Sequence, residues 1–233
     1  MKKHNSGLTA LLVSLVLSIA VEQAHAFELI FTNPSPITIS NLNAAAASPY
    51  PLTATVSGLG PILDLNVAVN GLSHTFPSDI GILLVGPGGQ KVVLMNLTGG
   101  STPITNVTIV FDDEASSSLP FSGPITSGSY KPTNFGPTDS FAPPALAAGP
   151  YSSSLSIFDG TLPNGIWSLF VRDFVDGEGG SISGGFGLRF SVDETPSFLL
   201  LGIGLLTGGF VLRKVKWFNS SNRPSRAARA DMA

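Results

Sequence analysis

A chain of 233 residues with formal net charge −3 and only 12% charged residues lacks the clustered Lys and Arg of a nucleic-acid footprint. Its 26 glycines and 18 prolines fit a turn-rich all-β protein better than a helical one. It has no cysteine, which excludes a disulfide framework, a thiolate metal site and a cysteine nucleophile.

In chain order, Lys2 and Lys3 precede an apolar run from Leu8 to Val21, and Ala24-His25-Ala26 supplies an A-x-A cleavage site. Residues 1–26 therefore read as a secretory signal helix, leaving a domain over 27–193. Phe27–Ser40 is an opening edge strand interrupted by Pro34 and Pro36, and Asn41–Pro51 is a connector. Thr53–Val56 and Ile62–Val69 alternate with period two. In the second, Leu63, Leu65, Val67 and Val69 are expected to face the core, with Ile62, Asp64, Asn66 and Ala68 on the other face.

His74–Gly89, HTFPSDIGILLVGPGG, is the organising stretch. Pro77-Ser78-Asp79 is turn chemistry, Ile80–Val85 is a nearly continuous apolar strand, and Gly86-Pro87-Gly88-Gly89 stops it. With Lys91–Leu97 it predicts a β-hairpin closed by a four-residue loop. Thr105–Phe111 is a further strand ending in Asp112-Asp113-Glu114-Ala115. Ser116–Tyr151 reads as a long surface loop with one short strand. Asn164-Gly165 is a turn before the strand Ile166–Val171, Asp173–Gly180 is a polar loop, and the glycines in Ile182–Val192 suggest a bulge or bend. Seven or eight short strands separated by turns predict an all-β jelly-roll sandwich or barrel.

Phe198–Leu212 is again apolar and is followed by Arg213, Lys214 and Lys216. Residues 196–218 read as a C-terminal transmembrane helix or sorting segment, and 219–233 as a basic tail retained on the cytoplasmic side. Thr195-Pro196-Ser197, the glycine-containing apolar run and the basic cluster resemble the PEP-CTERM sorting signal. That resemblance implies an exosortase-type processing enzyme and delivery to the envelope or matrix. The chain has Glu194-Thr195-Pro196 where the motif has Pro-Glu-Pro.

His74 is the one histidine beyond the leader, and no G-x-S-x-G elbow accompanies it, so a ring that packs and bonds to backbone at a sheet edge is expected. Zinc chemistry lacks ligands. Asp112, Asp113, Asp173, Asp176 and Glu178 gather at strand ends. Two uses stay open for them: calcium coordination, with its need for ~6–8 oxygens, and solvated or self-capping loops. A carboxylate pair for glycoside hydrolysis is the remaining alternative. Gly86–Gly89 is not a phosphate-binding loop, since Lys91 has neither the preceding glycine nor the following Ser or Thr. Asn96-Leu97-Thr98 and Asn106-Val107-Thr108 are glycosylation sequons, and Trp167 is expected to anchor the core.

Taken together, Ile62–Val69, His74, PSDIGILLVGPGG, Phe111–Ala115, Ser129-Tyr130-Lys131-Pro132, NGIWSLFVRD at Asn164–Asp173 and a glycine-rich last strand resemble the P domain (P/Homo B domain) of kexin- and furin-like proprotein convertases. The resemblance covers residues 52–192 and implies an eight-stranded jelly roll and a connection with subtilisin-like proteases. In that family the domain follows a catalytic domain, whereas no block around His74 resembles a catalytic motif. The last strand of the family usually carries a tryptophan where this chain has Gly184-Gly185-Phe186.

The function expected from these features is an exported, envelope-anchored, non-catalytic module that binds or scaffolds. Its expected partners are a matrix polysaccharide or a surface or secreted protein. An accessory domain acting in trans with a subtilisin-like protease is the alternative, and a hydrolase using the loop acids a second one.

Overall fold

Among the described residues the turn-rich composition gives twelve strands and no helix longer than a single 3₁₀ turn. They are β1 (Phe27–Asn33), β2 (Ile37–Ile39), β3 (Leu52–Val56), β4 (Ile62–His74), β5 (Ile80–Val85), β6 (Lys91–Asn96), β7 (Ile104–Phe111), β8 (Gly128–Tyr130), β9 (Thr133–Asn134), β10 (Gly165–Asp173), β11 (Gly180–Ile182) and β12 (Phe186–Val192). The computed structural model describes residues 27–42, 44–136, 141–145 and 151–192. The expected signal helix, C-terminal apolar segment and basic tail lie outside the described residues. Among those residues, no helix is long and apolar enough to cross a membrane.

The chain is all-β, in two sheets. A seven-stranded sheet runs β1-β12-β4-β11-β2, with β7 paired to β4 and β8 to β7; a five-stranded sheet runs β3-β10-β5-β6-β9. Their facing sides bury one apolar cluster, in which Leu65, Val67 and Val69 of β4 meet Ile82, Leu84, Trp167, Leu169 and Phe190. Trp167 fills the centre. Its ring lies 4.8 Å from that of Phe158 and 5.4 Å from that of Phe190, and its indole N–H donates to the Pro163 carbonyl at 2.8 Å. Phe186 is buried in the same core.

β5 is apolar at nearly every position because both of its faces are covered. Ile80, Ile82 and Leu84 enter the main core, while Leu83 and Val85 join Val93, Phe170, Phe141 and Ala145 on the outer side of the small sheet. Phe141 and Ala145 belong to the stretch expected to be a surface loop. That stretch supplies β8, β9 and part of this second apolar layer. The hairpin forms as expected, but Gly86 N–H donates to the Gln90 carbonyl, so Gln90 belongs to the loop and extends it beyond four residues.

The alternation at the start of β4 is corrected. Ile62 is buried and Leu63 is 45% exposed, because the pairing with β12 shifts between Ser191 and Val192 and turns one residue over. Of the expected bulge or bend, the glycines before β12 form the bend, as a turn. Gly185 has φ 61°, and a Cβ there would stand 2.0 Å from the Asn33 carbonyl oxygen.

Candidate functional site

His74 ends β4, an interior strand of the large sheet, and Asp173 ends β10 of the small one. Sheet packing brings these two ends together. Nε2 of His74 lies 3.3 Å from Oδ2 of Asp173, and both side chains are 0% exposed. Nδ1 accepts the Phe76 N–H at 3.1 Å, which leaves the proton on Nε2 to be donated to the carboxylate. Asp173 Oδ1 accepts the Val175 N–H at 2.9 Å, and the Phe174 N–H donates to the Asp79 carbonyl at 2.8 Å. The imidazole is therefore interior to the large sheet, where the sequence placed it at an edge. It also holds a carboxylate as well as backbone.

Gly180 is required beside it, since a Cβ would stand 2.0 Å from the Ser73 carbonyl oxygen and 2.7 Å from His74 Cδ2. Burial raises the carboxyl pKa of Asp79. The Ser78 hydroxyl partly offsets this, and the nearby Asp173 charge adds to it. Both ring nitrogens of His74 are committed within the protein, so the arrangement braces two sheets across their interface. Breaking such a buried pair costs about 3–5 kcal/mol.

The five acids singled out in the sequence fall in separate places. Asp113 works as a cap. Its Oδ1 accepts the Leu155 N–H at 3.0 Å, and its Oδ2 accepts the Ser156 N–H at 2.9 Å and the Ser154 hydroxyl at 2.5 Å. It thereby fixes the 3₁₀ turn Leu155–Phe158, which carries Leu155 and Phe158 into the core. Asp112 Oδ1 accepts the Glu114 N–H at 2.7 Å. Asp173 is committed to His74. Glu178 accepts the Thr75 hydroxyl and lines a loop-walled pocket of about 550 Å³ with Thr38–Asn41 and Gly177–Gly180. Asp176 lies in the exposed loop between β10 and β11. Among the described residues, no group of three or more His, Cys, Asp or Glu is placed to hold a metal ion.

Asp64 and Asp159 join the acidic end that the sequence reading limited to Asp112 and Asp113. The Asp64 carboxyl pKa is raised by burial and then by the Asp112 and Asp113 charges. That of Asp159 is raised by burial and then by Asp64 and Asp113. Of the two sequons, Asn96 is buried and donates to Asn134 Oδ1 at 2.9 Å, whereas Asn106 is exposed at φ 52°.

A second concavity lies on the outer face of the large sheet. It has a volume of about 310 Å³ and is lined by residues from β1, β12, β4, β7 and β8, together with Asp112. Asn66 stands in its wall, donating from Nδ2 to Asp64 Oδ2 at 3.0 Å, while its buried Oδ1 has no hydrogen-bond partner among the described residues. The sequence carried a signal for this face: Asp64, Asn66 and Ala68 are the positions of β4 that its alternation turned away from the core.

No family model and no curated protein matches the sequence. Among solved structures, the chain is similar to a chain of the Aeromonas sobria serine protease–chaperone complex, with 15% identity and a TM-score of 0.35. The match covers 78% of this chain and 30% of that one. It is likewise similar to the serine protease of Aeromonas sobria, with 15% identity, a TM-score of 0.35 and coverage of 77% and 29%. The chain thus spans less than a third of the length of the structures it matches.

Proposed function

We propose that the protein is an exported, envelope-anchored, non-catalytic module that binds or scaffolds at the cell surface or in the extracellular matrix. The observation that carries this is the burial of the His74–Asp173 pair: both ring nitrogens are occupied inside the protein, and neither side chain reaches solvent. A catalytic imidazole needs one nitrogen within hydrogen-bond reach of a substrate or nucleophile. The basic, apolar and A-x-A segments of residues 1–26 and the apolar–basic segment 196–218 support export followed by membrane attachment. Successive strands alternate between sheets, with β3 in the small one, β4 in the large, β5 and β6 in the small, β7 in the large, β10 in the small and β12 in the large. This favours a jelly-roll reading of the sandwich.

An accessory P domain for a subtilisin-like protease is the second reading. It is favoured by a contact between two of the features that resemble that family, since His74 meets Asp173, the last residue of NGIWSLFVRD. The test is intact mass of the chain from native envelope and medium fractions, with assays for hydrolysis of casein and of soluble polysaccharides. The proposal expects loss of residues 1–26, recovery in the envelope or matrix fraction and no turnover. Cytoplasmic recovery with residues 1–26 intact, or turnover abolished by Asp173→Asn, overturns it.

A further inference from the structure

The concavity on the large sheet is a trough with a built floor. Strand register aligns Thr32 of β1 with Gly187 of β12, Gly187 with Ala68 of β4, Ala68 with Val110 of β7, and Val110 with Ser129 of β8. These small side chains form one continuous row across five strands, roughly 19 Å long at the usual strand spacing of ~4.8 Å. Along one side the next outward row places Ile30, Arg189 and Asn66 in register, with Asp112 beyond the end of β7; Asn70 stands on the other side.

The chemistry of the lining selects its occupant. β12, β4 and β7 each have a hydrogen-bonded neighbour on both sides, so over the middle of the trough an added peptide strand finds no backbone edge, the sheet's edges lying at β1 and β8 where the trough ends. Recognition must come from side chains: two amides, two hydroxyls, one carboxylate and one guanidinium. Arg189 shares this face with Asp112, with Glu28, its ion-pair partner, and with Asp64, which is bonded to Asn66, so a polyanion meets no excess positive charge. Among the described residues Arg189 holds an exposed ion pair with Glu28 at 3.4 Å, a contact easily exchanged for a ligand. Asn66 Oδ1, buried in the trough wall and without a hydrogen-bond partner among the described residues, is an acceptor left for an incoming hydroxyl.

We infer that this trough binds an uncharged polysaccharide strand laid across β1, β12, β4, β7 and β8, a site that rests on the binding-module function proposed above. Amides and charged groups paired along a shallow polar floor suit vicinal hydroxyls, and a floor of Gly, Ala, Thr, Val and Ser lets the flat side of a sugar chain approach.

The test is affinity electrophoresis of the full chain, purified in detergent, through gels containing dextran, mixed-linkage β-glucan or galactomannan, with alginate as the polyanionic control. Ala68→Arg fills the floor, and Asn70→Ala removes a wall amide without adding bulk. Retardation by a neutral polymer is expected, weakened at least tenfold by Ala68→Arg and severalfold by Asn70→Ala at unchanged Tm. Retardation that neither variant alters, retardation by alginate alone, or none at all overturns the trough as the site. Release of reducing ends from a polymer would instead overturn the non-catalytic function on which it rests.

Discussion

Asp113 gives the sharpest test of how the acidic strand end is used. Replacing it with alanine removes the acceptor for the Leu155 and Ser156 N–H groups and for the Ser154 hydroxyl, so the 3₁₀ turn loses its cap. A lost cap costs ~0.5–2 kcal/mol, and a hydrogen bond to a charged group is worth ~1.5–3 kcal/mol. Ser156 is exposed, so water recovers part of its bond, whereas Leu155 is buried and recovers little. The net cost is about 2–4 kcal/mol, because the turn also seats Phe158 against Trp167 in the core. At about 2–4 °C per kcal/mol for a domain of this size, Tm falls by about 5–15 °C. Asp112→Ala, which loses one bond to the Glu114 N–H, costs under ~1 kcal/mol. Urea and thermal unfolding followed by near-ultraviolet circular dichroism measure both, and the same signal reports the packing of Trp167. Equal effects of the two substitutions, within about 1 °C, would refute the capping role.

The His74–Asp173 brace predicts that His74→Ala, which leaves the carboxylate buried without its partner, destabilises by about 3–5 kcal/mol, and Asp173→Asn, which keeps an acceptor but loses the charge, by about 1.5–3 kcal/mol. The double variant should cost less than the sum, and strictly additive losses in a double-mutant cycle would dissolve the pair as a unit. Asp64 holds its proton more tightly folded than unfolded, so the native state binds more protons and stability falls as pH rises through that raised range. Asp64→Asn should therefore raise Tm near neutral pH by about 1–2 °C, after discounting for solvent screening, with the gain vanishing below the ordinary carboxylate range. A gain that persists in acid would refute the assignment. With Asp113 and Asp173 committed to capping and to His74, millimolar calcium added after chelation should leave Tm within about 1 °C, whereas a tight site would raise it by mass action.

The strands legible in the sequence are those whose signal is local. Pro77-Ser78-Asp79 forms the expected turn, Ile80–Val85 and Lys91–Asn96 form the hairpin, and Trp167 enters the core. The all-β class follows from the same turn chemistry. What the sequence missed depends on distant partners. Asp113 meets the Leu155 turn 42 residues away, and His74 meets Asp173 99 residues away; nothing in either local spacing announces the contact. Phe141 and Ala145 looked like loop residues because a Ser-, Pro- and Gly-rich segment masks isolated apolar anchors. They are buried because the small sheet has a second apolar face to cover. The inversion of Ile62 and Leu63 arises from a shift in pairing with β12, which a single strand's alternation does not record. The trough was half-visible: β4 showed which of its residues face outward, but the row across five strands exists only in the register.

The account turns on whether the imidazole of His74 is closed to substrate. A long-range ¹⁵N–¹H correlation spectrum of the folded chain, run beside diethyl pyrocarbonate labelling, measures that directly. Burial between the sheets predicts a single tautomer protonated at Nε2, an imidazole N–H that exchanges slowly with solvent, and no labelling at His74 in the native protein. Rapid exchange, or labelling at His74 as fast as in unfolded chain, would contradict it and restore this histidine as a group able to act on a bound molecule.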